Sequence, residues 1–316
     1  MNKVFGIIGA FGKAVLAIAV MVVAVIAADL VMAAFDRDRE VYEGLFSTLY
    51  ALVMIIIFYL IMTKTTLVNN ERKIRKTPLD PLDTVWIFVI ALGMLGLTSI
   101  YLIITNAIAD VNSEVGEAVE EYNEAMERAA AEEEIVLIPN WDHWLYFFTS
   151  FLLIPLGEEM MFRGVVLEGF AKYMRRRFAI ILSALIFGLL HGISVQIGYA
   201  IICGIFLGVV YTVCDSLLAS YLMHAVFNFF GAALFTLVDS GAVGTVSEST
   251  KNSLFGGAFM LEMGGILCLA PAFYFICARR NILFKPNARI QAYMKTDDQD
   301  TEYSYHPDEP EDGDYL

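Results

Sequence analysis

The chain has 316 residues, of which 58% are hydrophobic, and its mean hydropathy is +0.63. Soluble domains are usually about 45–50% apolar, so this composition predicts a membrane protein with several spanning segments. The formal net charge of −14, with no basic groove in the pattern, argues against nucleic acid as a partner because an acidic chain repels phosphate.

Apolar runs long enough to cross a bilayer follow one another along the chain. A span needs about 20 residues, and a segment in lipid must satisfy its backbone hydrogen bonds internally. The sequence therefore predicts an all-α membrane bundle of about eight transmembrane helices. The predicted spans are 14–35, 44–62, 84–108, 143–171, 178–193, 197–214, 216–238 and 256–278. The first run is longer than the core of a signal peptide, which is about 7–15 residues, and is predicted to be a retained helix.

The distribution of Lys and Arg predicts the orientation. If both termini are cytoplasmic, sixteen of the 21 basic residues lie in cytoplasmic segments, as the positive-inside rule requires. We therefore expect an integral membrane protein with both termini inside, in the plasma membrane of a prokaryote. The cysteines all lie in apolar segments without a CxxC pair and are predicted to be core residues. They are Cys203, Cys214, Cys268 and Cys277.

Two acidic segments stand apart from the apolar runs. Residues 110–142 carry eleven Asp and Glu and one Arg, and their apolar residues recur at helical spacing. They predict an acidic amphipathic helix on the outer side, either a solvated spacer or a partner-binding surface. The tail 297–316 has nine acidic residues and no Lys or Arg, and is predicted to be disordered.

The composition shifts divide the chain into four predicted parts. These are N-terminal transmembrane helices at 1–109, an acidic extracytoplasmic segment at 110–142, a second membrane domain at 143–278, which holds the candidate site residues described below, and a cytoplasmic tail at 279–316.

Polar side chains inside the spans are the candidates for function, because a charge near the bilayer centre costs at least about 2.5–3.5 kcal/mol. Glu159 and Arg163 are four residues apart, so they share a helix face and can form a supporting ion pair. Glu158 points about 100° away from that pair and has no local partner. Glu158 therefore needs a partner elsewhere in the protein, a bound water or a proton.

Two later spans supply imidazole and amide groups. His224 and Asn228 are four residues apart and project from one helix face, and His191 lies near the outer end of its predicted helix. Counted at about 1.5 Å per residue, these three side chains and Glu158 lie in the middle of the membrane. We expect all four to surround one cavity.

This set of groups suits attack of water on a carbonyl carbon. Glu158 with His191 would activate the water, and His224 with Asn228 would donate hydrogen bonds to the oxyanion. Such a mechanism requires no cofactor. Glu158, His191 and His224 could instead hold zinc with an open position for water, although an HExxH motif is absent. No serine or cysteine is paired with a base, so a covalent mechanism ranks lower.

Three motifs in consecutive apolar segments identify a family. They are EEMMFR at 158–163, FGLLH at 187–191 and HAVFN at 224–228. The sequence, over about 143–277, resembles the CPBP (CAAX protease and bacteriocin-processing) family of intramembrane proteases, and within it the type II CAAX prenyl endopeptidases. The resemblance implies a helical bundle with its active site sunk in the bilayer, and removal of the last three residues after a prenylated cysteine.

The resemblance implies a role for each motif residue, and these roles agree with those inferred from the residues alone. Glu158 and His191 would activate water, and His224 and Asn228 would stabilise the oxyanion. Glu159 and Arg163 would be supporting members. The resemblance leaves open whether a metal takes part.

The leading hypothesis is an intramembrane endopeptidase whose partners are the bilayer and a lipidated or membrane-embedded peptide. One alternative is a non-catalytic immunity or maturation partner that binds bacteriocin-type peptides or other membrane proteins. Another is a transporter that uses the buried charges as a proton relay. The oligomeric state is left open by the sequence.

Overall fold

A computed structural model describes residues 3–39, 41–64, 77–135 and 138–280, and within these ranges the regular structure is helical. The helices are α1 (Lys3–Ala34), α2 (Glu43–Lys64), α3 (Pro81–Ala109), α4 (Ser113–Ile135), α5 (Asn140–Ala171), α6 (Arg176–Leu189), α7 (Ser194–Cys214), α8 (Leu217–Asp239) and α9 (Glu248–Arg279). The predicted disordered tail, 297–316, lies outside the described residues.

Seven of the described helices are long and apolar enough to cross a membrane, which confirms a polytopic helical bundle. They are all of the helices above except α4 and α6. The prediction of a separate span at 178–193 is wrong in length, because α6 has 14 residues and reaches only about 21 Å. The chain turns after Leu190, and Gly192 takes a positive φ of 81° that an L side chain rarely adopts.

Glycines allow α6 and α7 to pack closely as an antiparallel pair. A side chain on Gly188 would meet Ile201, and one on Gly204 would meet Ala184. Gly208 lies against Ile180 in the same way. Small residues of this kind let helix backbones approach in a bilayer, where no hydrophobic force drives helices together. The short α6 is therefore held by α7.

A second close helix contact joins α3 and α9. A Cβ on Gly93 would lie 2.8 Å from the carbonyl oxygen of Gly265, and one on Gly96 would lie 2.6 Å from the carbonyl oxygen of Glu262. At one end of the same pair, Arg279 forms an ion pair with Asp80, which caps α3. The backbone N–H of Asp83 is the main cause that holds the pKa of Asp80 below its usual value, with Arg279 adding to it.

The start of α5 is fixed to the start of α2 by Asp142, a buried carboxylate that the sequence analysis did not single out. Its oxygens accept hydrogen bonds from the backbone N–H groups of Gly44 and Leu45, at 2.6 and 2.9 Å. These are first-turn donors of α2 without a partner inside the helix. Asp142 therefore caps α2 from another helix.

The acidic helix predicted after the third span is present as α4. Val119 is buried and Val115 is half-buried, whereas Val111 lies before the helix and is exposed. The described face of α4 packs against α3 and α7.

The four cysteines are all free. The prediction that they are core residues holds for Cys203 and Cys214, which are buried. It is wrong for Cys268, which is exposed on α9, because an apolar run in a membrane protein also has a surface that faces lipid.

Candidate active site

The helix that carries the two glutamates changes its winding on both sides of them. Wider π-helical turns occupy Thr149–Leu153 and Met160–Leu167, and Glu158 and Glu159 lie in the α-helical segment between them. A third such turn, Phe229–Ala233, begins directly after Asn228 in α8. Turns of this type are rare and often occur at functional sites, because they redirect the side chains next to them.

Glu159 and Arg163 form the ion pair that their spacing predicts. Arg163 Nη1 lies 2.9 Å from Glu159 Oε1, and the two side chains are 1% and 0% exposed. The guanidinium also donates to the carbonyl oxygen of Gly204 and lies over the ring of Phe187, 5.1 Å from its centroid. The pair is sealed inside the protein and joins α5 to α6 and α7.

His224 connects this buried pair to the second carboxylate, which the sequence analysis did not anticipate. Its Nδ1 lies 3.0 Å from Glu159 Oε1, a hydrogen-bond distance, and its Nε2 lies 3.6 Å from Glu158 Oε2. Because a carboxylate can only accept, Nδ1 carries the proton in this contact. Glu159 thus fixes the orientation of the imidazole, and the contact that the structure gives Glu158 is with His224.

The four predicted catalytic side chains line a single cavity of about 540 Å³, as their depths in the spans predict. They are Glu158, His191, His224 and Asn228. Glu158 retains 23% of its side-chain exposure, whereas its neighbour Glu159 retains none. The two adjacent carboxylates therefore occupy different environments: one meets the cavity and the other is sealed behind it.

His191 lies in the turn just beyond α6 rather than within the helix. Its Nδ1 is 2.8 Å from the carbonyl oxygen of Phe187, one helical turn earlier, and its ring packs edge-on against that phenyl group. A carbonyl oxygen only accepts, so Nδ1 is the donor and Nε2 is the nitrogen left for other contacts. The positive φ of Gly192 reverses the chain immediately after it.

Asn228 holds α8 to α5 through its side-chain amide. Nδ2 donates to the carbonyl oxygen of Ser150 at 3.0 Å, within the first π-helical turn of α5. An amide nitrogen carries two hydrogens, so a second hydrogen remains for another acceptor. The wider turn of α5 and the position of Asn228 are therefore linked.

The residues do not fit the alternative zinc site as a preassembled set. Among the described residues, no group of three His, Cys, Asp or Glu side chains is gathered at metal-binding distances. Nδ1 of His224 is held by Glu159 and Nδ1 of His191 by Phe187, which leaves Nε2 of each ring for other contacts and is an arrangement also found in metal-ligating histidines. Glu158, His191 and His224 line the same cavity, but they are not gathered closely enough to form a ready-made metal site.

The cavity also has a wall that the sequence analysis missed. Glu262 of α9 and Ser99 of α3 line it, and Ser99 Oγ donates to Glu262 Oε2 at 2.6 Å. The signal was present, since Glu262 is a lone carboxylate in an apolar span. Its partner is 163 residues away in the chain, so no local spacing revealed the pair.

Residues 139–230 match the family model described as type II CAAX prenyl endopeptidase, Rce1-like. This segment, 92 of the 316 residues, is therefore similar to the type II CAAX prenyl endopeptidases. The resemblance read from the three motifs is confirmed, and all six predicted site residues lie within the match. The match supports a CAAX-type intramembrane endopeptidase in general. Helices α1 to α4 and α9 lie outside the matched CAAX protease segment, and comparisons with curated proteins and solved structures give no match.

Proposed function

We propose that the protein hydrolyses a peptide bond of a lipidated or membrane-embedded substrate by direct attack of water. The observation that carries the proposal is the convergence of four side chains from α5, α8 and the turn after α6 on one cavity. One carboxylate in this set meets the cavity, and the neighbouring carboxylate is sealed behind it. Separate environments for two adjacent carboxylates are typical of sites in which they have separate roles.

In the proposed reaction, Glu158 accepts a proton from water as the water oxygen bonds to the substrate carbonyl carbon. His191 positions this water through Nε2, since its Nδ1 is held by Phe187. The carbonyl oxygen becomes an oxyanion. As the carbon–nitrogen bond breaks, the proton on Glu158 passes to the leaving nitrogen, so Glu158 acts first as base and then as acid.

His224 and Asn228 stabilise the oxyanion in this scheme. Asn228 donates its second amide hydrogen, and His224 in its imidazolium form donates from Nε2. Each donor aimed at a developing oxyanion is commonly worth about 2.7–4 kcal/mol. Glu159 and Arg163 act as positioning residues, because Glu159 holds the Nδ1 of His224 and Arg163 holds Glu159.

The lining of the cavity supports an apolar substrate. Leu95, Phe187, Phe227 and Phe230 contribute to it together with the polar groups. A pocket of a few hundred Å³ with apolar walls and a few convergent polar groups is typical of sites that bury most of a ligand. A prenyl chain or an apolar peptide segment fits this description.

The orientation belongs to the same proposal. We place both termini on the cytoplasmic side, in the plasma membrane of a prokaryote, because the basic segments then share one side. Seven full spans alone would separate the termini, but α6, although too short to span, runs antiparallel to α7, so the chain before α6 and the chain after α7 lie on the same side. Protease protection of N-terminal and C-terminal epitope tags in inverted and right-side-out vesicles tests this. Opposite protection of the two tags would contradict it.

The reaction is tested with purified protein in proteoliposomes and two quenched fluorescent peptides that end in a CAAX sequence. One peptide is farnesylated on its cysteine and the other is not, and mass spectrometry identifies the products. We expect cleavage of the farnesylated peptide that releases the last three residues, without a hydroxylamine-trapped acyl-enzyme. A hydroxamate product would contradict direct attack by water.

A second outcome concerns the substrate class. Cleavage of a plain transmembrane peptide but of neither CAAX peptide would keep the hydrolysis and reject the prenylated substrate. Cleavage of none of these peptides, by protein that is folded as judged by its thermal unfolding, would count against an endopeptidase and for a binding protein.

A further inference from the structure

Glu262 is a buried carboxylate that the proposed reaction does not use. It lies in α9 within an apolar run, is only 8% exposed, and borders the cavity that holds Glu158 and His191. It lies outside the segment that matches the CAAX protease family. Burying an ionised carboxylate at membrane depth costs free energy, so such a group is expected to have a polar or charged partner.

The position of Glu262 is set by the close contact of two helices. Gly96 of α3 lies against the carbonyl oxygen of Glu262, and Gly93 lies against Gly265 one turn further along α9. Ser99, one turn beyond Gly96, donates to the carboxylate at 2.6 Å. Because the backbones touch, the carboxylate is held rigidly on a wall formed by α3 and α9.

The Ser99 hydroxyl uses only part of the hydrogen-bonding capacity of the Glu262 carboxylate. An ionised carboxylate has about four acceptor positions, and Ser99 fills one of them. The described residues that line the cavity include no Lys or Arg. The only basic side chains among them are His191 and His224, and the carboxylates among them are Glu158 and Glu262. The described lining therefore offers two carboxylates and no Lys or Arg to a cationic group of the substrate.

We propose that Glu262 is a specificity-determining residue that binds a cationic Lys or Arg side chain of the substrate. Ser99 orients the carboxylate, and the ion pair forms while the scissile peptide bond lies at Glu158 and His191. This inference rests on the proposed function, and it adds a charge requirement to an otherwise apolar substrate.

The test uses a set of quenched farnesylated peptides in which Lys is placed in turn at each position around the scissile bond. Each has a counterpart with norleucine, which keeps the aliphatic chain and removes the charge. The readout is the ratio of kcat/KM for the Lys peptide to that for its norleucine counterpart. A general loss of folding or activity leaves this ratio unchanged.

We expect the natural protein to favour Lys at one position by about 30-fold or more, the lower range for a buried charge pair. Glu262→Gln should remove this preference, and Ser99→Ala should reduce it. Glu248→Gln, the same chemical change at an exposed position of the same helix, should retain it. A ratio near one at every position in the natural protein, or an unchanged preference in Glu262→Gln, would overturn the proposal.

A binding measurement separates this inference from the catalytic one. Fluorescence anisotropy of the same peptide pairs is measured with Glu158→Ala and with the double variant that also carries Glu262→Gln. Preferential binding of Lys that is lost in the double variant supports the subsite even if Glu158 proves not to be catalytic. Equal binding of both peptides to Glu158→Ala rejects the subsite.

Discussion

The buried pair Glu159–Arg163 offers the sharpest test of the way in which the site is held. We consider Glu159→Gln, Arg163→Met and the double variant. The two side chains are 0% and 1% exposed and lie 2.9 Å apart. At an effective dielectric constant of about 20, two unit charges at this distance attract by about 6 kcal/mol, most of which offsets the cost of removing them from water.

Breaking a buried pair by removing one partner costs about 3–5 kcal/mol, since it leaves an uncompensated charge. Glu159→Gln should cost the most, because the contacts left to Arg163 are with neutral groups, the carbonyl oxygen of Gly204 and the ring of Phe187. Arg163→Met should cost about 3 kcal/mol, since Glu159 keeps its contact with His224. The double variant should lose at least about 2 kcal/mol less than the sum of the single losses.

The assay is thermal unfolding in detergent, followed by intrinsic fluorescence. At about 2 °C per kcal/mol for a chain of this size, the single variants should lower the midpoint by about 6–10 °C. Lys251→Met is the matched control, because Lys251 pairs with Asp239 at 2.8 Å on the surface. An exposed pair of that kind contributes about 0–1 kcal/mol.

The same variants also test whether Glu159 positions His224 for the reaction. Glu159→Gln should lower kcat, because the charged acceptor for His224 is lost. A coupling below about 0.5 kcal/mol, the usual error of additivity for independent sites, would refute the reasoning. A control variant that shifts the midpoint as far as Arg163→Met would refute it as well.

Three further predictions concern packing, capping and metal dependence. Gly204→Ala should destabilise the protein by about 1–3 kcal/mol because its Cβ would meet Ala184, whereas Gly264→Ala, which faces open space, should be neutral or stabilise by up to about 1 kcal/mol. Equal midpoints for the two variants would contradict the close packing of α6 on α7. Asp142→Asn should cost about 1–2 kcal/mol, since the start of α2 loses a charged acceptor for two N–H groups, and an unchanged midpoint would remove this capping role. Cleavage should persist after treatment with 1,10-phenanthroline in protein shown by elemental analysis to lack stoichiometric zinc, and inhibition that added zinc reverses would favour the metal alternative.

The spans and the candidate residues could be predicted from the sequence because the bilayer imposes strict rules. Long apolar runs must be helical, and charges within them must meet partners or a cavity. Glu158 and Glu159 could be separated by helix geometry, and the structure places the first on the cavity and the second beside Arg163. The spacing of four residues is enough to define that pair.

Other features depend on contacts between distant segments. The hydrogen bond of Glu159 with His224 joins residues 65 apart, and the length of α6 depends on a turn at Gly192 and on packing against α7. The π-helical turn Met160–Leu167 changes the angle per residue on which the separation of the two glutamates was based. Apolar composition alone does not reveal such a turn.

The central claim is that Glu158 activates the water that hydrolyses the peptide bond. The most direct measurement is the single-turnover cleavage rate of Glu158→Gln in proteoliposomes with the farnesylated peptide, compared with the natural protein and with Glu248→Gln. Losing a general base should slow cleavage by about 10²–10⁴-fold, while the exposed control keeps its rate. A Glu158→Gln rate within about threefold of the natural rate, in protein with an unchanged unfolding midpoint, would contradict the account.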